Sequence, residues 1–154
     1  MKNILTIFMI VLFSQFSNAQ DNYADLWKQI EKLEKQGLTK SAFKKVSEIY
    51  KLAKTDQNNP QIIKAFLHKA KYQLTLEEDA QLTIINDLKA EIKGQTAPSK
   101  NMLQSILANL YWQYFKNNRY KFYNRTETAK KVDANDFRTW DLETLFKEIS
   151  FYFD

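Results

Sequence analysis

Apolar residues recur at three- and four-residue spacing in segment after segment of this chain, and short polar breaks part the segments. That spacing puts them on one face of a helix and does not fit the two-residue alternation of a half-buried strand. From Tyr23 to Gln36 the stripe is Tyr23, Leu26, Trp27, Ile30 and Leu33, and Gly37 stands where a left-handed residue ends a helix. Thr39 is placed to cap a second helix with Ala42, Phe43, Val46, Ile49, Tyr50 and Ala53 inward. Asp56 to Pro60 breaks the pattern and restarts it, with Asn59 at the cap and Pro60 at the first helical position. A third helix to Leu76 turns Ile63, Phe66, Leu67, Ala70 and Leu74 inward. Glu77, Glu78 and Asp79 set negative charge at the positive end of a fourth, which buries Leu82, Ile85, Leu88 and Ile92 and stops at Gly94. Ser99 caps a fifth, with Leu103, Ile106, Leu107, Leu110, Tyr111 and Tyr114 inward, and Trp140 to Ile149 reads as a sixth.

The fold expected is all-α: antiparallel helical hairpins in a short solenoid of tetratricopeptide-like type, preceded by a signal peptide. Each helix pair with its loops takes about 40 residues, a length found among helical-hairpin repeats. Three segments follow: 1–19, the signal peptide; 20–118, the helical-hairpin domain; and 119–154, an aromatic-rich C-terminal segment with a final helix that continues into a larger protein.

The N-terminal segment has its own logic. Lys2 supplies a positive start, Ile4 to Phe13 are apolar apart from Thr6, and Ser17-Asn18-Ala19 offers the small residues a signal peptidase accepts. The apolar run is too short for a bilayer, which needs about twenty residues. Cleavage between Ala19 and Gln20 is expected, giving an exported chain that is periplasmic, envelope-associated or secreted and keeps no stable membrane span. The formal charge of +5 falls to +4 with the loss of Lys2. Export makes nucleic acid a poor partner for it, and the charge is spread among Lys-Glu mixtures typical of solvated helix faces.

Few residues invite chemistry. With no Cys, the chain has neither thiol nucleophile nor Cys-type zinc site, and Gly37 and Gly94 stand too far apart for a phosphate loop. His68, the single histidine, has no acidic residue three or four places away and reads as a surface histidine. Glu77 to Asp79 read as a helix start, and Asp133-Ala134-Asn135-Asp136 as a turn, since a calcium loop needs a Gly and a distant Glu that are missing here. No catalytic, metal or cofactor residue is expected, and no enzyme.

Aromatic residues are unevenly spread: 13 of the 22 lie between Tyr111 and Phe153. Trp112, Arg119, Tyr120, Phe122, Tyr123, Arg125 and Trp140 form the candidate docking surface, because rings and arginines dominate interface energetics; the alternative is that these aromatics pack the end of the helical stack. The closing run Phe151-Tyr152-Phe153 is expected to need cover from further polypeptide.

Tyr111-Trp112-Gln113-Tyr114-Phe115, Asn118-Arg119-Tyr120, Asn124-Arg125-Thr126 and Asp136-Phe137-Arg138-Thr139-Trp140-Asp141 follow in an order that resembles a known family, with Leu26-Trp27, Gly37-Leu38 and Ser41-Ala42 ahead of them. The chain looks like the N-terminal helical region of the large alpha-2-macroglobulin-like proteins exported by Bacteroidetes-type bacteria. The resemblance implies a helical leader ahead of β-sandwich domains, in a family that traps proteases after they cut a bait region. The family's thioester motif, Cys-Gly-Glu-Gln, is absent, so no functional residue carries over. The expected partners are the downstream domains of the same polypeptide or another envelope protein; a self-standing periplasmic helical-repeat adaptor is the alternative.

Overall fold

A computed structural model of the chain describes residues 22–123 and 133–153. The signal-peptide segment, the cleavage point at Ala19 and Gln20, and Arg125 lie outside the described residues. Among those described there is no strand: the chain is all-α, with helices α1 (22–35), α2 (Thr39–Thr55), α3 (Asn59–Leu76), α4 (Ala80–Lys93), α5 (Ser99–Tyr123) and α6 (Leu142–Phe153), and a 3-10 turn at Phe137–Thr139. It divides into two compact units between Leu76 and Glu77. The expected boundary at 118/119 falls inside α5, which runs on without a break to Tyr123.

In the first unit α2 packs on α3. Tyr23, Trp27 and Ile30 of α1 join Ala42, Val46, Ile49 and Ala53 of α2 and Ile62, Ala65 and Tyr72 of α3 in one buried cluster. The α1 and α2 faces are those the spacing predicts, except that Leu26, Leu33, Phe43 and Tyr50 are only half-buried. Gly37 does end α1 in the left-handed region, at φ 69°. Its amide donates to the Glu34 carbonyl at 2.9 Å and the Leu38 amide to Leu33 at 3.0 Å, so the last carbonyls of the helix are satisfied.

Several sequence-based details need correction. Thr39 is the first residue of α2, not its cap; Leu38 precedes it and makes no side-chain capping bond. The residue that caps α3 is Asn58, whose Oδ1 accepts from the Gln61 amide at 3.3 Å, while Asn59 is already helical. In α3 the buried residues are Ile62, Ile63, Ala65, Phe66, Tyr72 and Gln73, whereas Leu67 and Leu74 are exposed. Apolar residues surround α3 on most sides, so its amphipathicity does not select one stripe. Tertiary contacts select it instead: the Tyr72 hydroxyl donates to Glu34 Oε1 at 2.6 Å and brings its own side of the helix inward.

In the second unit α5 packs against α4 and α6. Ile84, Ile85, Leu88 and Ile92 of α4 are buried, with Leu82 half-buried rather than inward as expected. Ser99 is likewise inside α5 and buried, not a solvent-facing cap. Leu103, Leu107, Ala108, Tyr111 and Tyr114 form the buried stripe of α5, and Leu145 and Ile149 that of α6. The core is closed by rings: Phe137 sits 4.7 Å from Tyr114 and 5.6 Å from Tyr111, centroid to centroid, and Trp140 lies 5.6 Å from Tyr111. Edge-to-face pairs at such distances add about 0.5–1.5 kcal/mol each beyond their burial.

Tyr111 contains a test of this core. Its hydroxyl is buried, has no hydrogen-bond partner among the described residues, and is held protonated far above the ordinary phenol range by burial, with the Glu148 charge adding to it. An unsatisfied buried polar group is a cost that removal relieves. Tyr111→Phe should therefore leave stability unchanged or raise it by about 1 kcal/mol, read from denaturant unfolding at constant m. A loss above about 2 kcal/mol would mean that the hydroxyl has a structural partner.

Candidate functional site

Thirteen rings in the last third of the chain must partition between core and surface, and helix geometry decides how. Positions 111 and 114 of α5 share the inward face, one turn apart, and positions 112 and 115 lie about 100° around the helix. Tyr111 and Tyr114 are accordingly buried, while Trp112 is 39% exposed and Phe115 half-buried. On α6, Leu145 and Ile149 face inward, so Phe146 is displaced by the same rotation and stays 38% exposed. The displaced residues meet one another. Phe146 lies 6.0 Å from Trp112 and 5.0 Å from Phe115, and Trp112 lies 5.5 Å from Phe115, forming a triad at the surface of the α5–α6 pair.

The residues expected to form one docking surface separate. Trp112 belongs to the triad. Arg119 and Tyr120 form an exposed local pair, the guanidinium 5.1 Å from the ring centroid and donating to the hydroxyl at 3.3 Å. Tyr123 is 69% exposed at the end of α5. Phe122 and Trp140, in contrast, are withdrawn into the core. Phe122 packs edge-on against Tyr114 at 6.0 Å, and the Trp140 indole N–H donates to the Asp133 carbonyl at 2.7 Å. Their ring size suited an interface equally well, and burial is what the sequence could not supply. Phe146 was missed, although its place one residue after the inward Leu145 was a readable signal.

Phe151 and Phe153 are exposed by 66% and 61%, and Tyr152 between them is half-buried. Asp141 precedes α6 and its carboxylate accepts the Thr144 amide at 2.7 Å, which holds its pKa below the usual carboxylate range.

The acidic clusters are used locally. Asp133 accepts the Asn135 amide at 2.8 Å, as a turn requires, and Asp136 accepts from the Arg138 backbone and guanidinium at 2.8–3.0 Å. Asp79 takes the other side of the same guanidinium at 2.8 Å. Arg138 thereby fastens the 3-10 turn to the start of α4, with the Asp136 pKa lowered and its own raised. Among the described residues no group of three His, Cys, Asp or Glu side chains is placed to hold a metal ion, and no helix is long and apolar enough to cross a membrane.

His68 differs from the surface residue expected. It is half-buried on α3, its ring centroid 4.8 Å from that of Trp27, and its Nδ1 is buried with no partner among the described residues. Burial lowers its pKa, Glu34 opposes this, and Lys71 and Lys64 add to it. The folded state thus favours neutral imidazole, and the unfolded chain takes up the proton first as pH falls. The stabilisation is complete above the unfolded value of about 6.5 and is lost on descent through the lowered folded value. The midpoint of urea unfolding should fall between pH 7.5 and 5, and His68→Gln should flatten that slope; an equal slope in both proteins would remove His68 from the account.

No family model, curated protein or solved structure matches the chain.

Proposed function

We propose that this chain is a non-enzymatic, exported helical module that docks other polypeptide, and that it serves as the N-terminal leader of an alpha-2-macroglobulin-like protein. The observation that carries the docking role is the surface triad of Trp112, Phe115 and Phe146, with Phe151 and Phe153 further along α6. Rings already held by neighbouring rings lose little conformational freedom when a partner covers them, which is why such clusters concentrate binding energy. Stacked hairpins of tetratricopeptide-like type suit this role, because each helix pair leaves a face for its neighbour. Export rests on the charged, apolar and small-residue order of residues 1–19. The macroglobulin assignment rests on the resemblance. Four of the residues that carry it, Tyr111, Tyr114, Phe137 and Trp140, make up the inner ring cluster, so their order and spacing meet a packing need.

A photo-crosslinking residue at position 112 tests the reading in cells. It should form an adduct with polypeptide that is lost in Phe146→Ser, while the same group at Lys51, exposed on α2, should form none. An adduct within the same polypeptide supports the leader, and one with a separate protein supports the self-standing adaptor. Equal yields at both positions, or none at 112, contradict docking.

A further inference from the structure

The second unit carries a groove whose chemistry differs from that of the ring triad. Two adjoining hollows, of about 600 and 240 Å³, share Lys100, Gln104 and Tyr152 as wall residues. Lys93, at the end of α4, and Phe151 line the larger one, and Phe153 lines the smaller. Among the described residues no carboxylate lines either hollow. Three lysines border the larger, but they are not equivalent. Lys89 is neutralised by Glu148 at 3.1 Å and lies 5.1 Å over the Trp140 ring. Lys93 and Lys100 are exposed and have no carboxylate partner among the described residues. The far wall is fixed, since the Asn86 side-chain amide donates to the Asn135 carbonyl at 3.0 Å.

We infer that this groove binds an acidic segment of a partner polypeptide, its carboxylates on Lys93 and Lys100 and an apolar side chain against Phe151 and Ile92. The inference rests on the docking reading above and names the chemistry of what is docked. Uncompensated positive charge calls for negative charge in the occupant, and charge complementarity sets partner choice and encounter rate. The rings and Ile92 call for apolar area in the same occupant. A small anion leaves those rings wet, and a small ligand needs a site that encloses most of its surface. A groove that continues past Tyr152 into a second hollow suits a chain that enters, crosses and leaves.

The purified chain can be titrated with a short labelled peptide in which Glu alternates with Leu, beside a counterpart with Lys in place of Glu and a sulfated polysaccharide. The acidic peptide should bind and the basic one should not, and raising salt from about 50 to about 200 mM should weaken the complex. The double variant Lys93→Glu, Lys100→Glu should weaken it at least about tenfold with an unchanged melting curve, because both side chains are exposed. Phe151→Ser, equally exposed, should weaken it with the lysines intact. Peptide binding indifferent to the lysine reversal but lost in Phe151→Ser overturns the acidic partner and leaves docking standing. Binding of neither peptide, with an adduct at position 112 retained, overturns the groove alone. Tighter binding of the polysaccharide than of the acidic peptide also overturns it, in favour of a glycan.

Discussion

Phe137→Ala should destabilise the second unit by about 3–5 kcal/mol, the usual cost of deleting a fully buried ring. Phe137 is 1% exposed and touches three rings at once, Tyr111, Tyr114 and Trp140. Its backbone is held by a 3-10 turn that the Asp136–Arg138 bonds lock, so the surroundings cannot collapse onto the space left behind. Against a total stability of about 5–15 kcal/mol, the loss removes much of the margin. Chemical unfolding followed by near-ultraviolet circular dichroism would show it, with Phe137→Leu recovering a large part. A change below about 1 kcal/mol would mean that the ring cluster does not hold this unit together.

Trp27→Ala is the matching experiment in the first unit, with an expected loss of about 3–5 kcal/mol. The indole is 7% exposed in the cluster of α1, α2 and α3. Its N–H donates to Gln61 Oε1 at 2.8 Å, and Lys64 Nζ lies 4.1 Å from the ring centroid. Both partners belong to α3, so Trp27 ties α1 to that helix by burial, a hydrogen bond and a cation–π contact together. Trp27→Phe keeps most of the burial and should cost about 1–2 kcal/mol. Equal losses in the two variants would place the energy in the polar contacts rather than in packing. Amide exchange can assign each loss to its own unit.

The sequence was most readable where a stripe is narrow. The faces of α1 and α2 follow from three- and four-residue spacing because polar residues bound them, whereas on α5 the same spacing finds Leu103, Leu107, Tyr111 and Tyr114 but also admits Ile106 and Leu110, which are only half-buried. Gly37 was legible for a separate reason: a left-handed residue is needed to end α1, and glycine adopts that conformation without strain. In α3 the stripe was not legible. Ile62 and Tyr72 won over Leu67 and Leu74 through contacts with α1 and α2, which no local pattern contains. The capping residues shifted by one for a related reason. Asn58 and Asn59 are chemically equivalent caps, and backbone geometry chooses between them; the left-handed Gln57 just before supplies that choice. The ring-rich region was legible as a concentration of interface-type side chains but not in its division. Phe122 went inward and Phe146 outward because one residue of helix rotation, about 100°, separates core from solvent, while Trp140, in extended conformation between the 3-10 turn and α6, went inward with its N–H on the Asp133 carbonyl.

The division of rings can be measured directly through the tryptophans, of which the chain has three. Trp112 is 39% exposed, while Trp27 and Trp140 are 7% and 3% exposed. Labelled with fluorotryptophan and assigned by single Trp→Phe variants, the protein should give three fluorine resonances. A soluble paramagnetic agent should broaden that of Trp112 strongly and leave those of Trp27 and Trp140 sharp. Uniform broadening of all three, or a Trp112 signal as protected as that of Trp140, would contradict the surface triad and the docking role built on it.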